Sequence, residues 1–597
     1  MKKIQTLEYI KLEKILKDIQ KPGRYVDHEI GTSSKDPVRL EDIPGNVFTA
    51  LAFPDIYEIG FPNIGLQVLY DIINKHSRFS AERIFSPWTD FEERLRETGT
   101  GLFSLENRIF LESFDIVGFS LQHELLYTNM LNMLDLGKIP LYSKKRGPKH
   151  PLICAGGPAM VNPQPVSEFL DFAVIGDGEE VIIPVLERVG DYKAKNREKE
   201  WFLKEISSIN GVYIPSFYKF YYFGDGRIEK IDPPLKVKKA VLADLDSFEI
   251  IKRPIVPNIK PVHDRFAVEI MRGCARGCRF CQAGFIYRPV RKRKAGTLVD
   301  QCSEGLSNTG YDEVSFLSLS SADYRELNDL VKGVVEKSGD GKLSISLPSL
   351  RIDSFNLSLA SLMQGGRKTG LTFAPEAGSQ RMRDIINKNI TEEEIMDCIS
   401  MAFGRGWEKV KLYFMIGFPG ENQEDVMAIA HLTERIADTA RASMPPRKRR
   451  RLNINVSINV FNPKPFTPFQ WAAQDRVEIM EEKFKMILDN IPKRSINVTW
   501  SQPEKSELEC ALSRGDTRMC KVVEDAWRRG AKFDNWTDLF DICAWQEAFK
   551  SQDLAQEFYT SREYSQEDIL PWDNIDMGIS RDFLISQHDK AVKLING

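Results

Sequence analysis

From Asn46 onward, short and almost uninterrupted apolar runs alternate with longer amphipathic stretches. NVFTALAFP, DIVGFSL, HPLICAGGP and DFAVIGDG each carry Gly, Pro or Ser at or beside their last position, and helical stretches such as IGLQVLYDIINKH lie between several of them. Runs without a polar face mark strands buried on both sides, and connections long enough for a helix mark parallel pairing. Residues 46–194 are therefore predicted to form a doubly wound, Rossmann-like α/β domain. A second alternating series begins near residue 263: AVEIMRG, EVSFLSLS, KLSISLPS, GLTFAPEA, KVKLYFMIGFP and INVSINVFNP, again with helical stretches between successive runs. Six such units across residues 261–494 predict a partial (β/α)6 barrel of the TIM type, two units short of closure.

The remaining segments read differently. Residues 1–45 suggest a helix followed by a Gly/Pro/Asp-rich arm. Residues 195–260 form a connector in which GVYIPSFYKFYYFGDGRIEKI is expected to be a β-hairpin turning at Gly224-Asp225-Gly226. Residues 495–597 read as a small, mainly helical region, acidic and rich in aromatic residues. Neither an internal repeat nor a low-complexity tract interrupts the pattern.

Composition narrows the function classes. A chain of 597 residues with 42% hydrophobic and 28% charged residues has material for three or four ordinary cores. A formal charge of −3 argues against a protein that coats nucleic acid over its whole surface. No apolar run approaches the 18 or so residues of a membrane span, and the charged start MKKIQTLEYIKLEKILKDIQ lacks the apolar core of a signal peptide. The expectation is a cytoplasmic protein without a membrane partner, its thiols kept reduced.

Against that background, RGCARGCRFCQAGF (residues 272–285) stands out, because it concentrates three of the nine cysteines. Thiolates suit zinc or iron–sulfur clusters. A structural zinc site wants four ligands, and no fourth Cys or His lies nearby in the sequence. A cubane held by three thiolates keeps one iron open to a substrate or cofactor. Cys-x3-Cys-x2-Cys with Phe280 just before the third cysteine resembles the signature of the radical S-adenosylmethionine (radical SAM) superfamily. The resemblance implies a [4Fe–4S] cluster on Cys274, Cys278 and Cys281, with SAM chelating the open iron. It also implies reductive release of a 5′-deoxyadenosyl radical and a reducing donor such as flavodoxin or ferredoxin. Phe280, Ser320, Ser321, Glu376, Arg381 and Gly417 would surround SAM. Ser318-Leu319-Ser320-Ser321 stands where related enzymes have Gly-Gly-Glu, which is absent here. Glu376 to Arg381 resembles the segment that holds the ribose and carboxylate, and Gly417-Phe418-Pro419-Gly420-Glu421 the strand end that packs on adenine.

A doubly wound domain ahead of such a barrel resembles the cobalamin-binding class of the superfamily. Gly156 and Gly157 in Ala155-Gly156-Gly157-Pro158, and Gly176, Gly178 and Glu179 in Gly176-Asp177-Gly178-Glu179-Glu180, resemble its strand-end loops. Asp55-Ile56-Tyr57-Glu58-Ile59-Gly60 matches the Asp-x-His-x-x-Gly segment that ligates cobalt, but with Tyr57 in the His place, and a phenol of pKa near 10 is a poor neutral ligand. Asp55, Tyr57 and Gly60 would then border a cobalamin without a protein ligand, or the domain would be a scaffold that has lost cobalamin. Asn462 to Trp471 and the tail Leu570-Pro571-Trp572-Asp573 extend the likeness over the whole chain, to an uncharacterised group of B12-domain radical SAM proteins. The order of domains also resembles the methylthiotransferases, yet the first domain holds only Cys154, too few for their second cluster.

The expected function is a radical SAM enzyme, cobalamin-assisted, that methylates an unactivated carbon of an unknown substrate. One alternative is cobalamin-independent chemistry such as methylthiolation or rearrangement, including on RNA. The other is a noncatalytic iron–sulfur protein that binds RNA or a partner. The run Arg447-Lys448-Arg449-Arg450-Arg451 could grip phosphates or simply be a solvated loop. Cys510, Cys520 and Cys543 are too loosely spaced to read as a second cluster, and Trp527, Trp536, Trp545 and Trp572 read as helical core.

Overall fold

The structure is a computed structural model that describes residues 4–248, 251–339, 343–347, 371–491 and 495–597. In the first domain five parallel strands, β1 (Val47–Phe53), β2 (Phe79–Phe85), β3 (Ile116–Ser120), β4 (Leu152–Gly156) and β5 (Phe172–Val174), lie in the order β2-β1-β3-β4-β5. A short strand β6 (Val212–Tyr213) adds antiparallel to β5. All residues of β1 and β2 are buried, as strands covered by helices on both faces must be. β2 is not among the apolar runs because Glu82 and Arg83 interrupt it. Arg83 is accommodated by Glu106 at 2.8 Å and by Glu29, an inserted charge made tolerable by pairing.

Among the described residues, the second domain carries seven parallel strands, against six expected. β7 (Phe266–Glu269), β8 (Glu313–Leu317) and β9 (Ser344–Ser346) pair in that order, and β10 (Leu371–Glu376), β11 (Lys409–Ile416), β12 (Asn453–Val460) and β13 (Ile496–Trp500) pair in theirs. The end of KLSISLPS lies outside the described residues, as does the expected domain boundary at 494. β13 falls in the stretch read as helical. Its sequence INVTW is half polar and too short to register as an apolar run, and its place is fixed by the ladder it adds to β12, Ile454 opposite Ile496.

Burial along β11 and β12 alternates. Val410, Leu412, Phe414, Ile454, Val456 and Ile458 share a core with the helices outside the barrel. The opposite face carries Lys411, Tyr413, Asn455 and Ser457, all half-buried. A closed barrel fills its interior with packed side chains; this incomplete one keeps a polar inner wall that water can reach.

The hairpin forms as expected, Lys219–Tyr222 against Ile228–Asp232, with Gly226 at φ +85 in the turn. The connector strand Val237–Lys238 pairs with Ile575–Asp576 from the tail. The helices Pro503–Arg514, Met519–Arg528 and Ile542–Ser551 bury Leu508, Leu512, Val523 and Trp545 in the same core as Phe119, Met130 and Val166 of the first domain. Trp545 and Trp572 are buried there, while Trp536 is only partly covered. Among the described residues, no helix is long and apolar enough to cross a membrane.

Candidate functional site

The cysteine loop leaves the carboxyl end of β7. Met271–Arg272 pairs antiparallel with Arg291–Lys292, and the chain then turns through Gly273 at φ +90 into Cys274. A side chain at Gly273 would meet the carbonyls of Tyr287 at 2.6 Å and Pro289 at 2.8 Å, so the turn needs glycine. Three straps hold the loop. The Arg279 amide donates to the Ile386 carbonyl at 2.9 Å, and its buried guanidinium caps the carbonyls of Asp384 and Ile385 at the end of the helix Gln380–Ile385. The Asn387 amide donates to the Gly277 carbonyl at 2.9 Å. Arg276 reaches Asp323, beyond β8, at 2.9 Å. The loop is thus fixed to the ends of β8 and β10, where a barrel enzyme builds its site.

Cys274, Cys278 and Cys281 are half-buried; five of the other cysteines are buried singly and Cys543 is exposed. Cys510 and Cys520 are among the buried ones, and the Cys520 thiol donates to the Gln164 carbonyl at 3.3 Å. The Cys281 thiol is pushed up to about 11, chiefly by burial and then by the charge of Cys278, with Glu376 and Cys274 adding to it. A bound metal would favour the thiolate form against that burial. Among the described residues, no three His, Cys, Asp or Glu side chains converge as they would around a single metal ion. Three thiolates that each take a separate iron suit a cluster with one open position, whereas a closed zinc site wants four ligands. The donor set fits a [4Fe–4S] cluster.

Around the loop, the residues expected near SAM fall into two groups. The Phe280 ring lies 5.4 Å from Phe418, which in turn lies 5.5 Å from Phe461, so the loop packs on the end of β11. Gly417 sits at φ +85 with its amide donating to the Glu421 carboxylate at 2.7 Å. Glu376 holds the left-handed conformation (φ +68) where the ladder of β10 slips, and pairs with Lys388 at 3.0 Å. A non-glycine residue held there stores strain of a kind common at functional sites. The Ser320 hydroxyl is buried without a hydrogen-bond partner, a vacancy for a polar ligand atom, while Ser321 pairs with Ser318 at 2.9 Å. Arg381 belongs to the other group. Its guanidinium is taken by Asp425 at 2.6 Å and the Gly420 carbonyl at 3.1 Å, because Asp425 completes the capping box of the helix Gln423–Ser443.

In the first domain most of the positions assigned to cobalamin are engaged with protein. Tyr57 is buried, its hydroxyl donating to Glu29 at 2.7 Å and accepting from the Asn258 amide at 3.1 Å. Burial and Glu29 raise its pKa far above the ordinary phenol. Gly60 gives room to Phe85, whose ring lies 2.6 Å from where a Cβ would be. Asp55 accepts the Trp536 indole at 3.1 Å. Gly157 (φ +107) abuts the Leu121 carbonyl, and Gly176 (φ +98) the backbone of Ala240. At Gly156 and Gly178 a Cβ would meet Val174 and Leu69 only at ordinary contact distance, so these two positions retain room. Glu179 meets Arg272 at 2.7 Å.

Two constellations escaped the sequence reading. Arg272, two residues before Cys274, bonds Glu269, Asp177 at 2.9 Å and Glu179, and so ties the β5 loop of the first domain to the cysteine loop. Lys464, in the loop after β12, pairs with Glu124 after β3 at 3.0 Å and with Glu509 of the tail at 2.8 Å, beside His123. The only signal for either was a charge at a strand end, and pairing across hundreds of residues leaves no local pattern. Conversely, the basic run 447–451 is a 3-10 turn leading into β12, at the opposite end of the strands from the cysteines. Lys448 and Arg451 there pair with Glu408 at 3.4 and 3.5 Å.

Residues 268–433 match the radical SAM superfamily, and residues 65–215 match the N-terminal region of radical SAM proteins. The chain carries a radical SAM domain. That domain implies a [4Fe–4S] cluster and SAM, and it makes the protein an enzyme. An uncharacterized protein of Methanocaldococcus jannaschii, MJ0966, is 29% identical over 80% of this chain and 90% of its own length. A tRNA-2-methylthio-N(6)-dimethylallyladenosine synthase of Desulforamulus reducens is 22% identical, over 42% of this chain and 53% of its own. Among solved structures, the radical SAM methyltransferase TsrM from Kitasatospora setae, with cobalamin and a [4Fe–4S] cluster bound, overlays with a TM-score of 0.46. It is 14% identical and covers 73% of this chain and 78% of its own.

Proposed function

We propose that this radical SAM enzyme abstracts a hydrogen atom from an unactivated carbon of a substrate seated between the polar inner wall of the barrel and the ends of the first sheet. The buried, unpartnered Ser320 hydroxyl beside the strapped cysteine loop is the observation that carries this reading. A [4Fe–4S] cluster held by Cys274, Cys278 and Cys281 would supply the one electron needed for reductive cleavage of SAM, whose adenosyl part would take the substrate hydrogen. The chain's own part is placement. Cys274, Cys278 and Cys281 hold the cluster, and Arg279, Asn387 and Arg276 fix their loop. Phe280 and Phe418 offer an aromatic wall for adenine, and Ser320 a hydrogen bond for the amino or carboxylate end. Glu376, held by Lys388, presents a fixed carboxylate to the ribose. Arg381, committed to Asp425, orders the β11 loop instead of gripping SAM.

The test is anaerobic reconstitution with iron and sulfide, followed by SAM and dithionite. Formation of 5′-deoxyadenosine supports the reading, and its absence from a protein with a full cluster sinks it. Such an absence would favour the noncatalytic reading, in which the protein only binds RNA or another partner.

Because most of the positions assigned to cobalamin are engaged with protein, no step is routed through that cofactor, and the first domain is read as a scaffold that carries the substrate. Cobalamin-assisted methyl transfer is the second reading. Tyr57, turned to Glu29, would leave cobalt without a protein ligand. Retention of hydroxocobalamin on gel filtration with a base-off spectrum would decide for it.

A further inference from the structure

The cysteine loop has a second face. While Phe280 packs toward β11, Cys274 and Ala275 border an open cavity of about 520 Å³ shared with the connector and the tail. Val241, Val290 and Met577 give it an apolar floor, and Lys238 and Arg288 stand with Lys239 among its lining residues, which include no carboxylate. The geometry is built in. Val237–Lys238 is laddered to Ile575–Asp576, so the exposed Lys238 side chain has a fixed root. Buried Lys239 donates to the carbonyls of Ile286 at 2.8 Å and Arg288 at 2.6 Å, bracing the cavity wall. Asp576, opposite Lys238 in register, turns its carboxylate to the Gly578 amide at 2.8 Å.

None of these residues belongs to the SAM face, yet the cavity exposes a cluster ligand. Reductive cleavage requires one electron per event, and that electron has to enter where a donor can approach the cluster. We propose that this cavity is the docking surface of a small acidic electron-transfer protein, which passes one electron to the cluster by way of Cys274. The donor loses one electron and the cluster gains it; no bond is made or broken at this step. An apolar centre with a cationic rim and a modest footprint fits a transient redox encounter, and charge of opposite sign on the donor would speed it. The inference rests on the reductive chemistry proposed above and on the donor class that the family resemblance implies, and adds to them the place where that donor docks.

Full-length reconstituted protein, driven in parallel by reduced flavodoxin and by dithionite, tests it. Lys238→Glu should raise the half-saturating flavodoxin concentration severalfold and leave dithionite-driven 5′-deoxyadenosine formation unchanged. Added salt should weaken the flavodoxin reaction of the wild type more than that of the variant. Equal flavodoxin dependence in both proteins, or equal loss with both reductants, overturns the docking site. Failure of the wild type with dithionite overturns instead the chemistry on which it stands. As a readout that needs no turnover, stopped-flow reduction of the cluster by flavodoxin should show the same difference, and identical rates would reject the proposal.

Discussion

The strand ends of the first domain were expected to border cobalamin and those of the barrel a [4Fe–4S] cluster and SAM, and the structure treats the two ends differently. At the first sheet, Asp55 holds Trp536, Asn162 donates to the Gly515 carbonyl at 2.8 Å, Thr128 donates to Asp534 at 2.6 Å, and Glu124 meets Lys464. Every named loop has found a partner in the barrel or the tail. At the second sheet, the Ser320 hydroxyl lacks a partner and the Cys281 thiol is crowded by like charge. The lesson is about satisfaction. Strand ends of a doubly wound sheet are the default ligand crevice, but the same polar groups serve equally well to dock another segment of chain. An unmet hydroxyl alone does not mark a site, since Ser86 just beyond β2 is also buried without a partner; at the barrel end it coincides with three thiols drawn into one loop.

The sharpest way to break this contrast is Cys278→Ala. It should abolish both bound iron and 5′-deoxyadenosine, read by iron analysis and chromatography; a variant that keeps either result would remove the barrel end from the comparison. Lys464→Ala comes next. It strands Glu124 and Glu509 in the interior, and breaking a buried pair of this kind costs about 3–5 kcal/mol, visible as a large drop in the urea midpoint. A drop below about 1 kcal/mol would mean that the first sheet's edge is open after all. Ser320→Ala should separate function from stability. Removing a hydroxyl without a partner should leave the melting curve nearly unchanged, while the KM for SAM rises. A clear loss of stability would show that the hydroxyl already serves the fold.

The smallest effect concerns pH. Burial first, against its bonds from Ile56 and Trp536, raises Asp55 to about 6, and burial likewise raises Asp534 to about 6. A carboxyl raised in the folded state favours folding at low pH and loses that contribution as pH rises through about 6. Asp55→Asn should therefore flatten the change in stability between about pH 4 and 6. An unchanged slope would mean that Asp55 is solvated and that its edge is open to a ligand.

Much of this was legible along the chain, for a local reason. Strand runs such as VFTALAF and KVKLYFMI carry their burial in their own spacing, and Cys274, Cys278 and Cys281, within eight residues, single themselves out as candidate cluster ligands. The hairpin at Gly226 was equally readable, because a turn is a property of adjacent residues. β13 was hidden by its polar half, and β2 by Arg83, whose charge is tolerable only because Glu29 and Glu106 arrive from elsewhere. Arg381 matched a cofactor-binding pattern, yet its geometry is set by Asp425, 44 residues away.

The sequence by itself determined two βα layers and the chemistry of three thiols, since periodicity and ligand spacing are written in neighbouring positions. Only the tertiary structure decided which strand ends stay unmet. That depends on partners such as Trp536 and Lys464, brought to Asp55 and Glu124 by packing of the tail and barrel. No local rule links a charge to a neighbour more than three hundred residues distant.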